Sequence, residues 1–370
     1  LLLTVAQRPA EAAAPASGNS ATNPPAATAR PAGDVRAMAR KAQTLYAIRQ
    51  FEAAAALYRQ AAAQAPASLR NDLTYNAACA LYQAGHPEEA AELFRSLYGQ
   101  EENRPADVAY NRGVALHQAA FQPGTNASTR LPEEIRAERL AESAEAFQRA
   151  LRLQRDSDPA RNSLAAIQAQ LPEAAEQAHI ARVLKREEHA QPPDLADRLL
   201  REQRRINAAI PPAVQKDAPD RIRALEQLAT EQKANTDLLI PLKSQLIAAL
   251  ANAPADGTAT PVRPGDIERF VELTRDHLHR TAGELRDLDP RAAATGLGAE
   301  EAVYTLWKGI ADYPRLLRED IERQSNVVQS VAGNWTALPA AERGALERNQ
   351  AEAGALTHLF LSRFESTVPP

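Results

Sequence analysis

The sequence predicts an all-α protein. About a fifth of the residues are alanine, the strongest helix former, and only 5% are aromatic. Valine, isoleucine and threonine never gather into the alternating runs that a β-sheet requires. With 44% hydrophobic residues the chain can bury a core, and that core must consist mainly of small aliphatic side chains. These observations exclude a β-rich fold.

The charge balance argues against a polyanionic partner. The chain carries 43 basic and 47 acidic residues, which gives a formal net charge of -4. Proteins that bind nucleic acid as their main task usually carry a basic surplus on one surface. We therefore expect no nucleic-acid partner.

The first 33 residues predict the remnant of an export signal or a membrane anchor, followed by a disordered tether. Three leucines open the sequence, and the small residues Thr4 and Ala6 fit a cleavage site after Ala6. The alternative is a boundary inside a longer protein. Residues 8–33 are mostly alanine, proline and small polar residues, which cannot bury enough apolar surface to become ordered. We expect a periplasmic or exported protein that contacts a membrane only through such an anchor.

A repeat of about 35 residues organises the stretch 34–190. Its copies begin at Val35, Asn71 and Ala106, which are 36 and 35 residues apart. Small and large residues recur in phase in the three copies. These are Ala42, Phe51, Ala54, Tyr58, Ala61 and Pro66 in the first, Ala78, Pro87, Ala90, Phe94 and Leu97 in the second, and Gly113, Phe147 and Ala150 in the third. Small residues let two antiparallel helices approach closely, an aromatic side chain fills the space beside them, and proline ends the second helix.

These positions resemble the tetratricopeptide repeat (TPR). The resemblance implies a superhelix of about three repeats. The third repeat carries an insertion at about 121–139, and the second half of this insertion is predicted to begin a helix after Pro132. The helix that follows Asp158 would cap the stack, because a stacked repeat needs its last apolar face covered.

The resemblance also implies a concave groove, lined by the first helix of each repeat, that binds a partner polypeptide. The lining residues would be Arg40, Gln43, Tyr46, Tyr75, Asn76, Cys79, Tyr82, Tyr110, Asn111, Val114 and His117. An asparagine amide can both donate and accept, so Asn76 and Asn111 could hold an extended backbone while tyrosines cover its side chains. Packing of the tyrosines between repeats is the alternative.

Residues 191–370 predict a helical bundle. Asp194 caps a helix over residues 194–214, whose apolar face is formed by Leu195, Leu199, Leu200, Ile206 and Ile210. A longer helix is expected from Asp220 to about Leu250, with Ile222 on its apolar face and a kink at Pro241.

Three further helical stretches are expected, at about 266–288, 299–333 and 339–365, the middle one broken near Pro314. The segment GLGAEE, residues 296–301, is predicted to be a loop before a helix, since it lacks the strand and third glycine of a phosphate-binding loop. Gln203, Gln232, Gln324 and Gln350 recur on charged helical turns. Duplicated hairpins or chance in this composition would each explain that recurrence.

The sequence offers no catalytic constellation. Its seven histidines are scattered, and Cys79, the single cysteine, has no neighbouring lysine or histidine to activate it. No nucleophile elbow or metal-ligand spacing is present. We expect a protein that is not an enzyme and has no cofactor or metal.

The wider arrangement resembles the TPR proteins of the bacterial aerotolerance (Bat) operons. The resemblance rests on the repeats and the DPARNSLAAIQAQL stretch that follows them, under half of the chain. Those proteins are found beside a MoxR-type ATPase and von Willebrand A domain proteins, which the resemblance implies as partners. The expected function is a non-enzymatic scaffold or assembly factor of the cell envelope that binds a protein or peptide. The alternative is a structural protein that self-associates through the bundle at residues 191–370.

Overall fold

The computed structural model describes residues 32–100, 104–122, 131–251, 264–334 and 338–367. All regular structure in these ranges is α-helical, which confirms the predicted all-α class. The predicted tether lies outside the described residues except for its last two, and so does most of the first half of the predicted insertion. No helix in the described ranges combines the length and the apolar composition required to span a bilayer.

The chain divides into two compact units, Leu1–Arg182 and Val183–Pro370. The N-terminal unit contains seven helices in its described part. They are α1 (Ala32–Ala47), α2 (Phe51–Gln64), α3 (Ala67–Gln83), α4 (Pro87–Ser96), α5 (Pro105–Ala119), α6 (Glu133–Leu153) and α7 (Asp158–Arg186), the last of which ends just beyond the division.

Successive helices of the N-terminal unit pack against one another from α1 to α6. Ala42, Ala78 and Gly113, which share one position of the sequence repeat, are all buried at helix contacts. The large residues that share another position, Tyr58, Phe94 and Phe147, are buried as well. A Cβ atom on Gly113 would lie only 2.8 Å from the Phe147 ring, so this crossing of α5 and α6 requires glycine. The structure thus buries the small and the large residues of the sequence repeat, and it shows the close contact between them at Gly113 and Phe147.

In the first two helix pairs, the turn between the two helices falls at the same position of the sequence repeat. Gly85 after α3 has φ +88°, and Arg49 after α1 has φ 64°. Both lie in the left-handed region, where a residue other than glycine is uncommon. The two helical hairpins therefore share one turn geometry.

The C-terminal unit contains α8 (Pro192–Val214), α9 (Ala218–Asp237), α10 (Leu239–Ala251), α11 (Pro264–Arg286), α12 (Ala292–Ile310), α13 (Tyr313–Asn334) and α14 (Ala340–Thr367). The predicted apolar face of α8 is confirmed, because all five of its residues are buried. The predicted break near Pro314 is confirmed between α12 and α13.

Two predictions for α9 and α10 were wrong. The expected single helix is divided at Leu238 into α9 and α10, and Pro241 lies in the first turn of α10, where a proline costs no hydrogen bond. Ile222 is exposed, because Leu225 is the first residue on the apolar face of α9 that is buried.

The predicted loop at residues 296–301 was also wrong, because this segment lies inside α12. Gly296 is buried where α12 crosses α8, and a Cβ atom there would lie 2.6 Å from Asn207 Oδ1. Asn207 Nδ2 instead donates to the Gly296 carbonyl oxygen at 2.9 Å. Gly296 allows α12 and α8 to cross closely. The sequence prediction interpreted the same glycine as a turn residue.

The recurrent glutamines have different surroundings in the two halves of the C-terminal unit. Gln203 on α8 and Gln232 on α9 are fully buried and bond to each other, with N–H···O distances of 3.2 and 2.7 Å. Asn235 Nδ2 adds a bond to Gln203 Oε1 at 3.2 Å. Gln324 and Gln350 are exposed. A buried amide network thus joins α8 to α9, where apolar contacts alone would allow the helices to slide.

Candidate functional site

The predicted groove residues lie on the first helix of each sequence repeat, α1, α3 and α5. Arg40 and Gln43 on α1 are exposed. The half-buried residues of the set are Tyr46, Asn76, Cys79, Tyr82, Tyr110 and His117. Tyr75, Asn111 and Val114 are buried.

Tyr75 and Asn111 require a correction. We expected both to face a bound peptide, but Asn111 is 0% exposed and Tyr75 only 4%. Asn111 Nδ2 donates to the Tyr75 hydroxyl at 2.7 Å, and the Tyr75 ring packs edge-on against Phe94 with centroids 5.6 Å apart. Their polar groups join α3 to α5, so the pair stabilises the helix stack.

Three half-buried tyrosines, Tyr46, Tyr82 and Tyr110, form what we call the tyrosine row. Tyr46 packs edge-on against Phe51 at 5.1 Å, and Tyr110 packs against Phe147 at 5.5 Å. Burial, and then the proximity of Tyr110, raises the pKa of Tyr82. The rings are thus held on their inner sides by the core while part of each remains open to a ligand.

Cys79 links the first two members of the tyrosine row. It lies three residues before Tyr82 on the same face of α3, and its proximity, after burial, helps to raise the pKa of Tyr46 to about 12. Burial also raises the pKa of the Cys79 thiol to about 12, although a hydrogen bond with Tyr75 acts in the opposite direction. The thiol is therefore protonated at neutral pH and is a poor nucleophile.

His117 lies at the C-terminal end of α5. Burial lowers its pKa, and a hydrogen bond with Gln170 of α7 partly offsets that effect. Its ring packs edge-on against Phe121 with centroids 5.2 Å apart. A neutral imidazole with one fixed partner suits a polar contact with a ligand.

An acidic cavity that sequence reasoning missed opens beside Tyr110. Its volume is about 330 Å³, and its lining includes Asp107, Gln154, Asp156 and Asp158. Asp107 lies in the first turn of α5 and Asp158 in that of α7, where carboxylates are expected at any helix start. The sequence therefore carried no signal that distinguished these aspartates from ordinary helix caps.

No family model, curated protein or solved structure matches the chain. The described residues contain no group of three or more histidine, cysteine, aspartate or glutamate side chains that could hold a metal ion. What the site offers chemically is aromatic surface, amide groups and the thiol of the half-buried Cys79. Such groups can bind a ligand.

Proposed function

We propose that the protein is a non-enzymatic scaffold whose N-terminal unit is a TPR superhelix that binds an extended polypeptide across α1, α3 and α5. The tyrosine row is the observation that carries this proposal. Tyrosine provides a large contact area with few rotatable bonds, and its hydroxyl can still bond to a polar group of the ligand.

Binding would use the parts of these side chains that are still open to water. A peptide laid along the tyrosine row would cover the open part of each ring. Asn76, half-buried on α3, makes no side-chain hydrogen bond within the described part of the chain, so its amide can pair with a peptide group of the ligand. Arg40 and Gln43 would contact the same ligand at its α1 end.

The chemistry of the site supports binding in preference to catalysis. The Cys79 thiol, with a pKa of about 12, supplies almost no thiolate at neutral pH. His117 has a lowered pKa and a partner in Gln170, and no nucleophile among the described side chains bonds to it. We therefore propose that the protein works without a cofactor.

We place this scaffold in a bacterial cell envelope on the strength of the resemblance to the Bat operon proteins. A MoxR-type ATPase or a von Willebrand A domain protein would then be the partner. The periplasmic or exported location is part of the same proposal.

Panning a random peptide library against the full chain tests the peptide-binding role. The Kd of a selected peptide would be measured by fluorescence anisotropy for the native chain and for Asn76→Ala. We expect this change to weaken binding by roughly 1 to 3 kcal/mol, because a desolvated backbone group of the peptide loses its partner. The melting temperature should stay the same.

Gln60→Ala is the matched control, because Gln60 is an exposed amide on α2, outside the predicted lining. Its Kd should equal that of the native chain. Equal Kd values for the Asn76→Ala variant and the native chain would show that the peptide binds elsewhere.

A further inference from the structure

The helices α13 and α14 form a hairpin that is attached to the rest of its unit mainly through side chains. The two helices approach each other closely, and within the described ranges no other helix approaches either of them to the same extent. Asp320 Oδ2 accepts from the Thr357 hydroxyl at 2.7 Å, and the Tyr313 and Phe360 rings pack edge-on with centroids 5.9 Å apart. We call these two helices the α13–α14 hairpin. Residues 311 and 312 connect it to α12.

Few apolar side chains attach the α13–α14 hairpin to the core. Of the large apolar side chains that the structure describes on these two helices, only Leu316 and Leu356 are buried. Both belong to the core cluster that includes Val303 and Trp307 of α12. This apolar attachment is small for helices of 22 and 28 residues.

Charged side chains supply further contacts, the first of them at the start of α13. Arg315 Nε donates to Asp197 Oδ2 of α8 at 2.7 Å, and the same guanidinium bonds to Asp194 of α8. Asp197 Oδ1 accepts from the indole Nε1 of Trp307 at 2.5 Å. The Asp197 carboxylate therefore joins α8, α12 and α13.

Two more ion pairs lie between the hairpin and the helices α8 and α12. Glu319 Oε1 of α13 accepts from Arg204 Nη2 of α8 at 2.7 Å. Glu352 Oε1 of α14 accepts from Lys308 Nζ of α12 at 2.7 Å. Together with the ion pair of Arg315 and its α8 partner, we call them the ionic clasp. The side chains of the clasp are 11 to 37% exposed, so dissolved salt can screen their charges in part.

The charges of the clasp on α8 and α13 keep partners when these helices separate. Arg204 Nε lies 3.3 Å from a Glu300 carboxylate oxygen of α12, and Glu319 Oε1 also accepts from Arg323 Nε of its own helix at 2.9 Å. Arg315 bonds to Asp312, beside the start of its own helix. A charge stranded without a counter-charge is what usually makes a partly buried ion pair costly to break. Here the ion pairs between α8 and α13 can separate without that penalty.

We propose that the α13–α14 hairpin opens away from α8 and α12 as one unit, about the link at residues 311 and 312, when the ionic clasp is broken. Opening uncovers Tyr304 and Trp307 of α12, which stack with centroids 5.7 Å apart and are 8% and 3% exposed. In the closed state Arg323 of the hairpin covers the Tyr304 ring, with its Cζ atom 4.7 Å from the ring centroid. The hairpin is thus a cover whose position depends on ionic strength.

Acrylamide quenching of Trp307 fluorescence tests the opening, because acrylamide is uncharged and salt does not alter its approach. The chain has one other tryptophan, so Trp335→Phe isolates the signal. Raising NaCl from about 0.1 to about 1 M shortens the Debye length from about 10 to about 3 Å. We expect the quenching constant to rise severalfold over this range, while circular dichroism shows no loss of helix. A quenching constant that does not change with salt would overturn the proposal.

Glu319→Gln, made in the same background, tests the clasp itself. It removes one charge of the clasp at nearly unchanged size, so it should raise the quenching constant at low salt. Glu322→Gln is the matched control, because Glu322 is an exposed carboxylate of the same helix that lies outside the clasp. It should behave like the chain that carries Trp335→Phe alone. Equal quenching constants for the two variants at low salt, with equal helix content, would overturn the role of the clasp.

Distances between paired spin labels test whether the hairpin moves as one unit. With Cys79→Ala removing the single native cysteine, Arg201→Cys and Gly354→Cys place labels on α8 and α14, at exposed positions. A longer distance should appear for this pair at high salt. Asn326→Cys with Gly354→Cys labels the two helices of the hairpin, and their distance should stay constant. Absence of the longer distance in the first pair would overturn the opening, and a change in the second would overturn the movement as one unit.

Discussion

Asn76 and Asn111 occupy one position of two successive sequence repeats, yet their surroundings differ. Asn111 is fully buried because its amide meets the Tyr75 hydroxyl on α3. The residue that corresponds to Tyr75 one repeat earlier is Ala39, which has no hydroxyl to offer Asn76. Asn76 therefore still has an amide available for a ligand, and we expect it to hold the peptide at the middle of the proposed site, on α3.

The thiol of Cys79 gives a prediction at the scale of one residue. Burial raises its pKa from 9.0, the ordinary value of a free thiol, to about 12, so at pH 8 the folded chain holds much less thiolate than the unfolded chain. Because the thiolate is the reactive form, we expect iodoacetamide to modify Cys79 far more slowly in the native protein than in denaturant. The native rate should keep rising with pH up to about pH 11.

Mass spectrometry of samples quenched over time measures both rates, and Cys79 as the single cysteine makes the assignment unambiguous. Equal rates in native and denatured protein at pH 8 would contradict the burial of this thiol.

The sequence alone could not separate the side chains that remain open to a ligand from those that stabilise the helix stack. The Tyr75–Asn111 pair could have been predicted from the sequence. The two residues are 36 positions apart, so their hydroxyl and amide groups occupy adjacent positions of neighbouring repeats. The acidic cavity beside Tyr110 was not, because helix-start aspartates look alike in any sequence.

At the scale of helices, periodicity predicted most elements and failed where glycine or proline had a packing role. Gly296 indicated a turn, yet its hydrogen bond with Asn207 lies at a helix crossing. Pro241 indicated a kink within one helix, yet it lies in the first turn of a new helix, α10, which begins at Leu239. Both errors have one cause, since the same residue types serve tight turns and close contacts, and only the neighbouring helix decides between them.

The crossing of α5 and α6 supplies a prediction at this scale. A Cβ atom at residue 113 would lie 2.8 to 2.9 Å from three ring carbons of Phe147, which is fully buried and cannot move aside. Gly113→Ala should therefore lower the free energy of unfolding by about 1 to 3 kcal/mol, even though alanine favours a helix.

Chemical denaturation followed by circular dichroism gives the comparison. Gly283→Ala in α11 is the matched control, because no atom lies within 4 Å of its added Cβ, and it should stabilise the protein by up to about 1 kcal/mol. A Gly113→Ala variant as stable as the native chain would mean that α5 and α6 do not approach as closely as described.

At the scale of the whole chain, the molecule divides into two compact units. The sequence predicted a boundary at residues 190 and 191 from the prolines that follow, and the division by contacts falls at Arg182. The proposed peptide site lies on α1, α3 and α5, all in the N-terminal unit. Val328→Asp, at an exposed position of α13 in the C-terminal unit, should therefore leave the Kd of a selected peptide unchanged.

The position of a bound peptide on the full chain tests whether α1, α3 and α5 form the binding surface. A peptide selected by panning would carry a benzophenone group, be cross-linked by light to the native chain, and be located by mass spectrometry. We expect cross-links to α1, α3 and α5, at residues such as Gln43, Asn76 and Tyr82. Cross-links confined to α2, α4 or the C-terminal unit would contradict it.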